Sequence, residues 1–209
     1  MSQTASLASR REDSKVVFMT ETAVLNAITL IRGLTPLGTL RTPLLSVSIV
    51  TIPVAIAAML IGPAGAVACA AVFGLTSLYN AVTGTSGLLS TLLQVSPFGV
   101  FVTAVVARVL DGLATGYIFK GIKKVAPKPV ACYLTGLAAP VLNTVFFMGS
   151  LMLFFYKSDF MMEKAAALGA HNPMSLIVAM VGVQGVIEAI AGCLLGGTVG
   201  YLVSKALHR

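Results

Sequence analysis

The chain has 209 residues, of which 57% are hydrophobic and 10% are charged, and its mean hydropathy is +0.95. A soluble domain has roughly 45–50% apolar and about 25% charged residues, so this composition excludes a soluble enzyme, a disordered chain and a secreted disulfide scaffold. At roughly 20 residues for each transmembrane helix, the length allows about six spans with short loops and no separate soluble domain.

Apolar segments in chain order predict six transmembrane helices behind a polar tail. Residues 1–15 are interpreted as a cytoplasmic N-terminal tail and residues 16–209 as a single membrane domain. Gly62-Pro63 separates the second segment from the third, and Pro97 opens the fourth in the way typical of a first-turn proline. The predicted spans are about 16–32, 44–61, 64–82, 97–120, 130–156 and 174–204. The predicted fold class is therefore an all-α integral membrane protein, a six-transmembrane-helix bundle of the cell membrane.

Basic residues predict the orientation of this bundle. With both termini on one side, that side holds Arg10, Arg11, Lys15, Lys120, Lys123, Lys124, Lys128, Lys205 and Arg209, and the other holds Arg32, Arg41, Lys157 and Lys164. The richer side is expected to be cytoplasmic, which places both termini inside the cell. The net charge of +7 thus reflects orientation, and no nucleic-acid partner is predicted. The longer connections 33–43, 83–96 and 157–173 then lie outside, as in a protein that receives a molecule from outside.

Charged and amide side chains inside the spans are the candidate binding residues. A charge at mid-membrane costs about 2.5–3.5 kcal/mol on insertion scales, so each one needs a physical reason. Arg108 and Asp111 share one helical face, and two interpretations stay open. They form an internal ion pair that fixes the bundle, or Arg108 receives an anionic ligand while Asp111 holds it in place. Further candidates for one shared substrate cavity are Asn80, Tyr79, Asn143, Gln184 and Glu188, although amides also bond helices to one another.

Catalytic and nucleotide-binding patterns are not found. A P-loop needs G-x-x-x-x-G-K-[ST], but Gly116 to Gly121 continues with Ile122. The two histidines, His171 and His208, stand at opposite ends of the last predicted span, and the three cysteines lie far apart in apolar segments. We therefore predict no enzymatic activity, no catalytic residue, no metal and no cofactor in this chain.

A series of short motifs runs through the chain in a fixed order. They are Gly33-Leu34-Thr35-Pro36-Leu37-Gly38, Ile52-Pro53, Gly62-Pro63, Val72-Phe73-Gly74-Leu75-Thr76-Ser77, Ser96-Pro97-Phe98, Ala107-Arg108-Val109-Leu110-Asp111-Gly112, Leu142-Asn143-Thr144 and Ile187-Glu188-Ala189-Ile190. Together they resemble the S-components of energy-coupling factor (ECF) vitamin transporters. The resemblance covers roughly residues 16–205, and it is strongest to the pantothenate-type member, with the folate-type member close behind.

The resemblance implies a mechanism and a set of partners. The family's first helix carries an Ala-x-x-x-Ala motif that docks on a membrane coupling subunit, and Ala23 and Ala27 match it. Internal helix packing is the alternative explanation for this pair. The S-component binds a vitamin from outside, under a lid that corresponds here to residues 33–43. It then pairs with the coupling subunit and two cytoplasmic ATPase subunits, which hydrolyse ATP, and carries the ligand inward across a prokaryotic cell membrane.

The aromatic content bears on the substrate. The chain has 10 phenylalanines, 5 tyrosines and no tryptophan. A small aliphatic anion with hydroxyl and amide groups suits Arg108, Asn143, Gln184 and Asn80 better than a flat ring does, which predicts pantothenate. Folate is the alternative in the same class. A small membrane enzyme is a third alternative, but it would need a nucleophile or a set of metal ligands that is not found in this sequence. A purely structural bundle is a fourth, and it would leave the ionisable groups in two spans unexplained.

Overall fold

The computed structural model describes the backbone of residues 2–35, 39–41, 46–48 and 51–207, and the side chains of residues 16–35 and 51–207. The helices are α1 (Ser2–Leu34), α2 (Thr51–Leu60), α3 (Pro63–Val82), α4 (Gly87–Val95), α5 (Pro97–Phe101), α6 (Ala107–Val125), α7 (Lys128–Phe155), α8 (Asp159–Ala167), α9 (Pro173–Ala191) and α10 (Gly197–Ala206). Strands β1 (Thr39–Arg41) and β2 (Ser46–Ser48) pair antiparallel, with Leu40 opposite Val47.

Helices long and apolar enough to cross a membrane confirm the predicted class. In the described part of the chain they are Val16–Leu34, Pro63–Val82, Pro97–Val125, Lys128–Phe155 and Pro173–Ala206. The first span continues a helix that begins at Ser2, so the backbone of the predicted tail is helical from its second residue. The count of six spans and the cytoplasmic location of the termini stay predictions.

The second predicted span differs most from the structure. We expected one helix over 44–61, but α2 covers only Thr51–Leu60, and Ser46–Ser48 belong to β2. Ten residues of α-helix reach about 15 Å, roughly half the hydrocarbon thickness. Pro53 lies in the first turn of α2, where its missing N–H removes no intrahelical hydrogen bond. Every residue from Thr51 to Met59 is buried, so α2 is a short helix inside the bundle.

Two connections predicted as loops contain helices. Residues 83–96 include α4, which buries Leu89 and Leu92 against the bundle. Residues 157–173 include α8, where Ser158 Oγ accepts a hydrogen bond from the Met161 amide at 3.4 Å and caps the helix. The sequence analysis missed both helices because each is short and flanked by polar residues. Each buries only one or two apolar side chains.

Two of the long helices contain a π-helical turn. Val102–Val106 joins α5 to α6, and Gly192–Gly196 joins α9 to α10. The second lies against α7, where a β-carbon added to Gly192 would stand 2.5 Å from the carbonyl oxygen of Gly136. The first ends two residues before Arg108.

Glycines bring α3 and α6 into backbone contact. A β-carbon added to Gly112 would lie 2.7 Å from the carbonyl oxygen of Ala66, and one added to Gly116 would lie 2.5 Å from Pro63 Cα. Small residues one turn apart allow such close approach between membrane helices.

Contacts between helices define the two ends of the bundle. At one end, the Asn80 side chain donates a hydrogen bond to the Gly33 carbonyl at 2.8 Å, so the last turns of α1 and α3 lie side by side. At the other end, Lys128 Nζ donates to the Ser204 carbonyl at 3.4 Å. We call this second end the lysine end, because it holds Lys120, Lys123, Lys124, Lys128 and Lys205.

Candidate functional site

Arg108 is buried in the middle of the bundle. Arg108 is the second residue of α6, and it is 8% exposed. Nη1 donates hydrogen bonds to the carbonyl oxygens of Thr103 and Ala104, at 3.4 and 3.2 Å. Both carbonyls belong to the π-helical turn. The wider turn therefore provides backbone acceptors that hold one corner of the guanidinium.

Two phenylalanine rings flank the same guanidinium. Arg108 Cζ lies 4.2 Å from the ring centroid of Phe73 on α3 and 5.0 Å from that of Phe147 on α7. Cation–π contacts contribute about 2 kcal/mol or more when they are desolvated. Three different helices thus fix the position of one charged group.

Helices that contact Arg108 also carry buried polar atoms without a hydrogen-bond partner in the described structure. Within the described residues, Arg108 Nε, Thr103 Oγ1 and Asn143 Oδ1 are buried and have no hydrogen-bond partner. Asn143 stands one turn before Phe147 on α7, so it shares the helix face that reaches Arg108. A buried polar atom without a partner costs about 1–3 kcal/mol, and a ligand that pairs with it recovers that free energy. Two other such atoms, Asn26 Oδ1 and Ser90 Oγ, belong to α1 and α4.

Asp111 is buried beside this site, with 1% of its surface exposed. Its Oδ1 accepts a hydrogen bond from Thr115 Oγ1 at 3.2 Å. Among the hydrogen bonds and ion pairs of the described residues, none joins Asp111 to Arg108. The side chain of Arg108 bonds directly to backbone carbonyls and packs against aromatic rings, while Asp111 acts on its charge electrostatically without a direct hydrogen bond.

Other predicted binding residues have different neighbours. Gln184 Nε2 donates to Glu188 Oε1 at 2.9 Å along α9, and Glu188 is 8% exposed. The Asn80 amide bonds to α1, and Tyr79 is 57% exposed. Neither of these two hydrogen bonds involves Arg108. Asn143 lies one turn from Phe147, which contacts Arg108, and the assignment of all five residues to a substrate site stays a prediction.

Phe73 and Phe147 were not predicted as site residues. Phe73 lies in one of the family-like motifs, and Phe147 belongs to the aromatic-rich second half of α7. The usable signal was the need of a membrane-buried cation for aromatic faces. This requirement does not identify which of the phenylalanines in the sequence contact the arginine. The described residues contain no group of three or more His, Cys, Asp or Glu that could hold a metal ion.

The predicted docking face lies on α1, away from this site. Ala23 and Ala27 are both exposed, while Leu25 and Thr29 turn toward the bundle with 8% and 0% exposure. A β-carbon added to Gly33 would lie 2.8 Å from Thr76 Oγ1, so α1 approaches α3 closely near its end. One face of α1 thus packs on the chain, and the alanine face does not.

These observations define a helical integral membrane protein with a buried cationic site between three helices. Comparison with known families matches residues 17–199 to the ECF transporter, substrate-specific component. The chain belongs to this family. A separate comparison with curated proteins gave no match. Members of the family are transport subunits, and membership implies association with a coupling module of membrane and ATPase subunits.

Proposed function

We propose that this chain binds pantothenate from outside a prokaryotic cell and delivers it inward with a separate, ATP-driven coupling module. The observation that carries the proposal is the Arg108 guanidinium, which is buried among aromatic rings with its Nε unpartnered in the described structure. The chain holds no cofactor of its own in this proposal. ATP is hydrolysed by two cytoplasmic partner subunits, as the missing P-loop lysine position favours.

An anionic ligand suits the free edge of the guanidinium. Nη1 is engaged by the Thr103 and Ala104 carbonyls, whereas the Nε–H has no acceptor within the described residues. A carboxylate accepts from such an edge in a planar, charge-assisted geometry. Asp111 bonds to Thr115, so it does not compete for that edge through a direct hydrogen bond.

The neighbouring groups favour a small aliphatic acid over a flat one. Asn143 Oδ1 is an unused acceptor, and pantothenate offers hydroxyl and amide donors. Phe73 and Phe147 already stack on the guanidinium, so these ring faces are not free to stack on a pteridine. This supports pantothenate over folate, the alternative within the same transporter class.

Charge and exposure support the direction of transport and the partner contact. The lysine end is expected in the cytoplasm, so the opposite end, where α1 meets the proposed lid at 33–43, receives the vitamin. Of that lid, residues 36–38 and 42–43 lie outside the described structure, and β1 lies between them. The exposed Ala23 and Ala27 support docking of α1 on the coupling subunit.

The proposal is tested by calorimetric titration of the purified chain with pantothenate, folate and pantothenol. Pantothenol replaces the carboxylate with an uncharged hydroxymethyl group. We expect pantothenate to bind best, and pantothenol to bind about 30-fold or more weakly, because a buried charge partner is lost. Tighter binding of folate would move the substrate to the alternative. Equal binding of pantothenol and pantothenate would refute a carboxylate site. The same preparation should show no ATP turnover until the partner subunits are added.

A further inference from the structure

A cavity lies at the lysine end of the bundle. It has a volume of about 530 Å³ and opens between the α2–α3 turn and the last turns of α6. Its wall is partly apolar, with Met59, Ile61 and Phe119, and its rim carries Lys120, Lys123 and Lys124. This cavity is far along α6 from Arg108 and shares no lining residue with the site described above.

The rim of this cavity is strongly cationic. Lys120, Lys123 and Lys124 are exposed, and no carboxylate occurs among the described residues that line the cavity. Lys123 Nζ lies 5.8 Å from the ring centroid of Phe119, so one ammonium group leans over the apolar wall. Three neighbouring ammonium groups without a lining anion repel one another, and a bound anion relieves that repulsion.

Helix length places these lysines at the membrane surface. The span Pro97–Val125 has 29 residues. At about 1.5 Å for each residue, it covers roughly 43 Å, which matches the thickness of a bilayer with its headgroups. The three lysines lie in the last six residues of that span, at the depth where lipid phosphates are found.

We propose that this cavity binds the headgroup of an anionic phospholipid. The phosphate lies among Lys120, Lys123 and Lys124, and the start of an acyl chain runs along Met59, Ile61 and Phe119. A lipid fits better than a free phosphate ion, because only a lipid uses the apolar wall together with the cationic rim. Basic pockets at the ends of transmembrane helices commonly bind anionic headgroups in this way.

The test is native mass spectrometry of the purified full chain with added dioleoyl phosphatidylglycerol or dioleoyl phosphatidylcholine. The variant is Lys120→Gln/Lys123→Gln/Lys124→Gln. The matched control is Lys157→Gln/Lys164→Gln/Lys205→Gln, which removes the same charge outside the cavity. We expect the wild type and the control to retain phosphatidylglycerol in preference to phosphatidylcholine, and the variant to bind phosphatidylglycerol roughly tenfold to a hundredfold more weakly. Size-exclusion chromatography verifies that both variants are monodisperse.

Three results would overturn the proposal. The first is a cavity variant that retains phosphatidylglycerol as well as the control does. The second is a wild type that binds both lipids equally. The third is displacement of the lipid by excess inorganic phosphate, which then binds in its place. Should the triple variant prove polydisperse, the single variant Lys120→Gln replaces it, with an expected loss of about fivefold. An unchanged affinity in that single variant contradicts the proposal equally.

Discussion

The α3–α6 interface and helix α1 differ in how they use small residues. At the interface, Gly112 and Gly116 bring two helix backbones into contact, and an added β-carbon at either position would collide with α3. On α1, Ala23 and Ala27 are exposed, so they are not buried against another helix of the described bundle. In the most apolar stretch of each span, 50% of residues are buried for Pro97–Val125 but 11% for Val16–Leu34.

This difference agrees with the roles proposed for the two regions, substrate binding between α3 and α6 and partner docking on α1. The tight α3–α6 pair fixes Phe73 and Arg108 relative to each other. The small size of Ala23 and Ala27 has no role in packing within the described chain, which favours docking over the internal-packing alternative. A flat alanine face suits close approach by a partner helix.

Gly112→Leu is expected to have the largest effect on this comparison. Its side chain would enter the space of the Ala66 carbonyl and of the Ala70 methyl group, 2.6 Å from the added β-carbon. Overpacking destabilises a protein by about 1–3 kcal/mol. The cost for Gly112→Leu should lie at or above the upper end of this range, because the new side chain collides with the backbone of a neighbouring helix. We expect loss of monodisperse protein in size-exclusion chromatography. A β-carbon added to Gly121 on the same helix meets nothing within 4 Å, so Gly121→Leu should behave as the wild type. Equal behaviour of the two variants would contradict a tight interface.

A double Ala23→Trp/Ala27→Trp variant tests the other region. Bulky side chains hold a partner helix away, so uptake by the full complex should fall by about tenfold or more, while ligand affinity of the isolated chain is unchanged. The control is Val141→Trp/Val145→Trp, an exposed pair with the same spacing on α7. Radiolabelled uptake into proteoliposomes measures the effect. Normal uptake by the alanine variant would remove α1 as the docking face.

Phe147→Leu sharpens the role of the aromatic faces. Leucine fills much of the space but removes the cation–π contact with Arg108, which contributes about 0.5–2 kcal/mol. We expect pantothenate affinity to fall about 2- to 30-fold, because the guanidinium is held less firmly. Phe154→Leu on the same helix lies near Phe98, with ring centroids 6.0 Å apart, and serves as the control. Equal affinities of both variants in calorimetry would mean that the ring does not position the arginine.

Asn80→Ala is expected to have the smallest effect. It removes the hydrogen bond to the Gly33 carbonyl, which contributes about 1 kcal/mol to stability. The melting temperature should fall by about 2–4 °C. Thr83→Ala, which removes an exposed hydroxyl at the end of α3, should change it less. A fall in pantothenate affinity by more than about tenfold would instead place Asn80 in the binding site, as the sequence first indicated.

Sequence reasoning located the features that local chemistry determines. Pro63 and Pro97, which marked predicted helix boundaries, each open a helix of the structure, as their fixed φ favours. The cost of a charge in lipid singled out Arg108, which is indeed buried among three helices. Each of these predictions depends on a single residue and its neighbours in the chain, and the structure agrees with them.

The features that were missed depend on contacts between distant residues. An apolar helix that is buried on all sides has the same composition as one that faces lipid, so the short, buried α2 could not be told from a full span. The π-helical turn at Val102–Val106 gives no signal in sequence. The choice of Phe73 and Phe147 as the flanking rings follows from helix packing, which brings together positions that are far apart in the chain.

The central claim is that Arg108 receives the carboxylate of the substrate. It is tested most directly by calorimetric titration of pantothenate into Arg108→Ala and Arg108→Lys variants that remain monodisperse. Loss of a buried charge partner costs about 2–5 kcal/mol, so Arg108→Ala should bind roughly 30- to several-thousand-fold more weakly. Arg108→Lys should recover only part of this, since an ammonium group does not reproduce the planar fork. A folded Arg108→Ala variant with near-native affinity for pantothenate would contradict the account, and one that never folds would return Arg108 to a structural role.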